Sequence, residues 1–170
     1  MKKIVISLVV VAFAAILISS AYAASPIVQQ VTGGGWFISI CSGNKCTFGF
    51  NAQENPEGEL KGNVEFVDHG PVDGFDKGFP HVHGYEITAL TVTETTATIE
   101  GECRLNGYPG PFPFIVYVED NGEPGTYDWF RIQIYNLPAE LGLWDNYYGA
   151  QGELGFPDNG GGNIQTHVWV

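Results

Sequence analysis

Hydrophobic and polar residues alternate with a period of two along most of the chain, most clearly between Phe112 and Tyr135. Such alternation, rich in aromatic and β-branched residues, is typical of strands with one buried face. Asn-Gly and Pro-Gly pairs, which favour turns, lie between the two alternating arms. The segment therefore predicts a long β-hairpin. Its predicted inward residues are Phe112, Phe114, Val116 and Val118 in the first arm and Phe130, Ile132 and Ile134 in the second.

The same pattern recurs in short segments separated by Gly, Pro and Asn. Further strands are predicted over Ile27–Thr32, Trp36–Cys41, Thr47–Ala52, Asn63–Val67, Tyr85–Val92, Thr96–Leu105 and Asn163–Trp169. We expect Gly33–Gly35 to break the first two apart, and a slip in phase near Ala89 indicates a β-bulge. Asp68–Gly84 has no period and predicts a long surface loop, whereas Leu137–Leu143 predicts a short helical turn.

Many short strands, with no helical period over three turns, predict an all-β protein. We expect an antiparallel β-sandwich, jelly-roll-like, of about nine short strands.

The first residues lie outside this domain. Lys2 and Lys3 precede an apolar run of about 15 residues, and Ala21-Tyr22-Ala23 resembles a signal-peptidase site. Residues 1–23 are therefore predicted to be a signal peptide and residues 24–170 a single domain that is secreted or held at the cell surface, without membrane insertion.

The charge of the chain narrows the choice of partners. The formal net charge is −12, and it approaches −14 once Lys2 and Lys3 are removed. A surface of this sign repels nucleic acid and anionic lipid, so neither is an expected partner. Divalent cations, glycans, other envelope proteins and further copies of this chain remain as candidates.

The three cysteines are Cys41, Cys46 and Cys103. Cys41 and Cys46 flank the turn-forming tetrapeptide Ser-Gly-Asn-Lys, so a disulfide across a hairpin is predicted, and export permits it. Cys103 shares an alternating face with Ile99 and Leu105, which predicts a buried thiol. A pairing of Cys103 with Cys41 or Cys46 is the alternative.

The connection between the hairpin arms is a candidate calcium site. Calcium takes six to eight oxygen ligands, and glycines let a chain wrap around the ion. Five oxygen-bearing side chains lie here around Gly122 and Gly125, although an ordinary long turn has a similar composition. The candidate ligands are Glu119, Asp120, Asn121, Glu123 and Asp128.

A second, weaker metal candidate consists of His69, His81 and His83 near Asp68, Asp73 and Asp76. His-x-His on an extended strand places both rings on one side, as zinc and copper sites require. The sequence places no fourth ligand, so hydrogen bonding to loop backbone is the alternative.

Outward aromatic residues suggest a platform on which sugars stack. Its candidate members are Trp129, Tyr135, Trp144, Tyr147 and Tyr148, together with Trp169. Core and rim packing is the alternative. The chain has no Gly-x-Ser-x-Gly motif and no phosphate-binding loop, and it has too many acids for a carboxylate pair to be meaningful. An enzyme is therefore the third choice, after an interaction module and a glycan-binding module.

Several short motifs separated by turn residues follow one another along the chain: Thr32–Trp36, Thr47–Gln53, Gly62–His69, Val82–Gly84, Glu119–Gly125 with Asp128–Ile132, and Gly160–His167. Together they resemble the post-COAP-1 domain of exported and cell-surface proteins. The resemblance implies a secreted β-rich module and carries no catalytic residues or enzymatic activity.

We also consider that the arm Ser25–Thr32 is donated as a strand to a neighbouring molecule. The alternative is a first strand folded onto its own sheet.

Overall fold

A computed structural model describes residues 27–71, 80–139, 148–155 and 160–169. The predicted signal peptide lies outside these residues. The described residues form nine strands: β1 (Gln29–Ile38), β2 (Lys45–Glu54), β3 (Leu60–Asp68), β4 (His81–Val92), β5 (Thr96–Leu105), β6 (Tyr108–Glu119), β7 (Trp129–Ile134), β8 (Tyr148–Glu153) and β9 (Gly160–Val168). No helix in this part of the chain has the length and apolar character that crossing a membrane requires.

The nine strands form one nearly closed antiparallel sheet in the order β8-β7-β6-β5-β4-β3-β2-β1-β9. The predicted all-β antiparallel class with about nine strands is thereby confirmed. The connections are more local than those of a jelly roll, because each strand from β1 to β7 pairs with the next in the chain. Of the described strands, only β9 pairs with a strand distant in sequence, and it pairs with β1 from Phe37 opposite Gly160 to Gln29 opposite Val168.

The interior is filled by side chains of alternate residues, as the pattern predicts. All seven predicted inward residues of the β6–β7 hairpin are buried. Phe130 lies at the centre of an aromatic cluster, with its ring centroid 4.1 Å from that of Phe48, 5.6 Å from Phe37 and 6.1 Å from Phe66. Burial of each phenylalanine contributes about 1.5–3 kcal/mol, so this cluster is a main source of stability.

Some predicted strand limits agree closely with the structure. Strand β5 occupies Thr96–Leu105, as predicted, and its alternate residues from Ala97 to Leu105 are buried. The pairing of β4 with β5 shifts register between Ile87 and Ala89, where the bulge is predicted, and again between Gly84 and Glu86.

The prediction that Gly33–Gly35 breaks the first strand is wrong. Strand β1 runs through all three glycines and pairs with β2 and β9 on its two sides. The glycines permit close packing: a Cβ on Gly35 would lie 2.3 Å from the carbonyl oxygen of Gly161, and one on Gly33 would lie 2.7 Å from the Phe50 ring. Residues 29–32 therefore belong to a central strand of their own sheet, which is the alternative to the donated arm.

The predicted loop Asp68–Gly84 is shorter than expected. Asp68 ends β3 and is fully buried, whereas His81 begins β4. Residues 72–79, which include Asp73 and Asp76, lie outside the described residues, as do residues 140–143 of the predicted helical turn.

The predicted Cys41–Cys46 disulfide is not formed, since all three cysteines are free thiols in this structure. The β1–β2 register places Cys46 opposite Phe37 and directs its side chain into the core, whereas Cys41 lies exposed in the turn. Cys103 is fully buried, as expected.

Candidate functional site

The acidic segment Glu119–Asp128 connects β6 to β7 and contacts the edge of β9. Asp128 is fully buried, and its carboxylate accepts hydrogen bonds from the backbone N–H groups of Asn121 at 2.9 Å and Ile164 at 2.7 Å. Ile164 lies in β9, whose backbone pairs with β1 on its other side. Asp128 therefore satisfies an edge-strand donor that no other strand of the described residues reaches.

Two further carboxylates of this segment bind the same strand. Asp120 accepts the backbone N–H of Thr166 at 3.0 Å and its hydroxyl at 3.3 Å. Glu123 accepts hydrogen bonds from the side-chain amides of Asn163 at 2.9 Å and Gln165 at 2.7 Å. We call the contact between these three carboxylates and β9 the carboxylate seam.

The pKa values of two seam carboxylates, Asp128 and Glu123, are shifted in opposite directions. Burial raises the pKa of Asp128, the N–H groups of Asn121 and Ile164 partly offset that rise, and nearby Asp120 and Glu123 add to it. The pKa of Glu123 is lowered by the amides of Asn163 and Gln165. Calcium at this loop would compete with these donors for the same oxygens. The predicted calcium site remains a hypothesis.

A second buried carboxylate, Asp68, lies at the end of β3. It accepts hydrogen bonds from the Tyr148 hydroxyl at 2.8 Å, the Ser42 hydroxyl at 3.0 Å and the Gly70 N–H at 3.0 Å. Burial and the adjacent Asp68 raise the pKa values of the Cys46 thiol and the Tyr148 hydroxyl, so both groups stay protonated at neutral pH. Neither is an activated nucleophile.

Tyr148 is thus placed differently from its prediction as part of an outward sugar-stacking platform. It is 4% exposed and lies on the inner face of β8, because the strand's alternation turns it toward Phe66, at a ring separation of 6.2 Å. Trp144 and Tyr147 lie outside the described residues.

Trp129 and Tyr135 lie on the outer side of the sheet, at the start and just after the end of β7, and both are partly exposed. Between them lies a shallow depression of about 60 Å³ over Gly149, lined in part by Arg131, Gln133, Gln151 and Cys41. Trp169, the remaining candidate, follows β9 and is 49% exposed.

Two of the three candidate histidines lie beside a glutamate that no metal-ligand motif in the sequence marks. His81 and His83 are both exposed on β4, and Glu65 of β3 lies directly opposite His83. Nε2 of His81 lies 3.3 Å from one carboxylate oxygen of Glu65, and Nδ1 of His83 is hydrogen-bonded to the other. The expectation that the two rings share one side of a strand is met. We call these three residues the His–Glu cluster.

His69 does not join the cluster, because its Nε2 lies 2.8 Å from the hydroxyl of Thr47. As the side chains now lie, the described residues contain no group of three His, Cys, Asp or Glu positioned to hold a metal ion. Glu65 could have been placed on the outer face from the alternation of β3 alone. Its meeting with the histidines depends on the β3–β4 register, which no local pattern gives.

The His–Glu cluster adjoins a shallow depression of about 260 Å³ on the outer face of β2 and β3. Thr47, Gly49, Glu65 and Val67 line it, and a Cβ on Gly49 would contact nothing within 4 Å. Glu65 therefore borders both the depression and the histidines.

Comparison of the chain with models of known protein families, with curated proteins and with solved structures gave no match, so the resemblance to the post-COAP-1 domain stays a prediction.

Proposed function

We propose that this protein is a secreted, non-catalytic β-sheet module with a structural or interaction role at the cell envelope. Calcium binding at Glu119–Asp128 and self-association are further parts of this hypothesis. The observation that carries it is how the polar groups are distributed. The buried ionisable groups are bonded within the scaffold, whereas the exposed groups lie on the shallow outer face of the sheet.

The buried ionisable groups support the hypothesis because they serve the scaffold. The carboxylates of Asp68 and Asp128 accept hydrogen bonds from fixed partners, and burial raises the pKa of Cys103 to about 12. Catalytic groups need access to substrate and a pKa matched to their task. The exposed groups, in contrast, lie on a broad and shallow outer face, which suits contact with a large partner.

The test is to fractionate cells of the native host and follow the protein with an antibody. We expect it in the envelope fraction or in large assemblies, from which added EDTA releases it if calcium holds it there. Recovery of the protein entirely as a free monomer in the medium would contradict the envelope role.

Glycan binding is the second candidate, and the geometry of β7 favours it. Residues 129 and 135 are separated by about 20 Å along an extended strand, a length that spans several sugar rings. Aromatic rings stack on sugar faces, and the intervening Arg131, Gln133 and Gln151 offer hydrogen bonds to hydroxyls.

A screen of immobilised envelope polysaccharides tests this candidate. We expect Trp129→Ala to weaken retention at least about tenfold, a loss of about 1.4 kcal/mol. Tyr127→Ala is the matched control, since Tyr127 is an aromatic residue 60% exposed in the β6–β7 connection. Equal retention of wild type and Trp129→Ala would exclude this face as the glycan site.

A further inference from the structure

We propose that the His–Glu cluster is a binding site for Zn²⁺ or a related divalent transition metal ion. The ligands would be one ring nitrogen each from His81 and His83 and the carboxylate of Glu65. This site is independent of the proposed envelope function and of the predicted calcium site.

The backbone places the three ligands suitably. His81 and His83 are two residues apart on β4, so their Cβ atoms are about 6.6 Å apart on one face. Glu65 is the direct cross-strand partner of His83, at a typical Cβ separation of about 4.5–5.5 Å. Zinc bonds of about 2.0–2.2 Å to nitrogen and oxygen can bridge these spacings, and two histidines with one glutamate form a known zinc ligand set.

In the structure the three proposed ligands contact one another and are not directed at a common point. The carboxylate of Glu65 lies between the two rings and takes a hydrogen bond or close contact from each. The side chains are 52% exposed in His81, 53% in His83 and 41% in Glu65, so packing does not prevent the rotation that would bring their lone pairs to a common point. The three side chains must therefore move to bind the metal, while the backbone need not.

The chemistry of the ligands selects the kind of ion. Imidazole suits zinc, copper and nickel, whereas calcium prefers oxygen ligands alone. The formal net charge of −12 raises the local concentration of any cation. Three protein ligands leave at least one coordination position for water or for a group of a partner, and the depression beside Glu65 gives such a group access.

The test is a titration of the tag-free protein with ZnCl₂ at neutral pH, followed by calorimetry and by thermal unfolding. We expect one zinc ion per chain and a rise in Tm that is lost in the double variant His81→Ala/His83→Ala, whereas any rise in Tm with CaCl₂ should be the same in that variant as in wild type. His81→Ala and His83→Ala should each weaken zinc binding by more than about tenfold, because even outer-sphere changes cost about 10–100-fold. Glu65→Gln should weaken it as well.

His69→Ala and His167→Ala are matched controls, since both residues are exposed histidines outside the cluster, and each should bind zinc like wild type. Cys41→Ser excludes binding through the exposed thiol. The proposal is overturned if wild type binds no zinc, or if the double variant His81→Ala/His83→Ala binds it as tightly as wild type. Far-UV circular dichroism of the double variant establishes that it is folded.

Discussion

Asp68 and Asp128 are both completely buried, yet their hydrogen-bond donors differ in kind. Asp128 accepts from two backbone N–H groups, one in its own loop and one in β9. Asp68 accepts from two side-chain hydroxyls and one backbone N–H. A hydroxyl can rotate to another acceptor, but a strand N–H cannot turn away from the edge where it lies. Asp128 should therefore be the less replaceable of the two carboxylates.

The largest expected effect is that of Asp128→Ala. It leaves the Ile164 N–H unpaired at a buried position and frees the Asn121 N–H, so we expect a loss of about 3 kcal/mol in the free energy of unfolding. Urea denaturation followed by circular dichroism measures it. Asp120→Ala removes a less buried seam carboxylate and should cost about 1 kcal/mol. Equal losses of unfolding free energy in the two variants would show that burial of a seam carboxylate does not determine how much it contributes to stability.

An intermediate effect is expected at the other carboxylate, for Tyr148→Phe. This change removes one hydroxyl donor and leaves the ring in the core, so the loss should be about 1.5 kcal/mol. Cys46 adjoins Asp68, so its thiol reports on local opening there. We expect Tyr148→Phe to speed the labelling of Cys46 by a thiol reagent.

Two comparisons make that labelling experiment specific. Cys103 is buried elsewhere in the core and should be labelled at an unchanged rate in Tyr148→Phe. Cys41, exposed in the β1–β2 turn, should react at once in every variant. Faster labelling of Cys103 alongside Cys46 would mean global rather than local opening.

The smallest effect is a difference in pH dependence within the seam. The pKa of Asp128 in the folded protein is raised above its ordinary value of 3.8, so its contribution favours folding at low pH and is lost as the pH rises through the raised pKa. The pKa of Glu123 is lowered from 4.5, so its contribution is present above that pH and is lost as the pH falls. The stability gap between wild type and Asp128→Asn should therefore narrow as the pH rises from 3.8 through the raised pKa, whereas the gap for Glu123→Gln should widen as the pH rises to 4.5 and stay constant above it. Parallel pH profiles of the two gaps would contradict this assignment.

The parts of the fold that could be predicted are those that a local pattern determines. The limits of β5 and the buried face of the β6–β7 hairpin follow from alternation within a few residues. The triplet Gly33–Gly35 predicts a break because a run of glycines usually interrupts a strand. Here its lack of side chains admits Phe50 and the backbone of β9, a distant cause that the local sequence does not contain.

The surroundings of the candidate sites are less predictable from the sequence, because they depend on register and on long-range contacts. The sequence drew attention to His81 and His83 but not to Glu65, which meets them only across β3 and β4. It indicated the oxygens of Glu119–Asp128 but not their partners in β9, about 36 to 46 residues away. Composition alone could not distinguish a calcium loop from a loop that closes a sheet.

The return of β9 to β1 also determines the order in which the sheet can be completed. Strands β1 to β8 can pair one after another as the chain is synthesised, because each contacts its immediate predecessor. One side of β1 stays unpaired until residues 160–168 have been synthesised, because Val31 pairs with Thr166, which lies far along the chain. Until then a long strand edge is open to pairing with other chains. A ribosome stalled before residue 160 should therefore carry a nascent chain that is ordered over most of its length and still prone to aggregate.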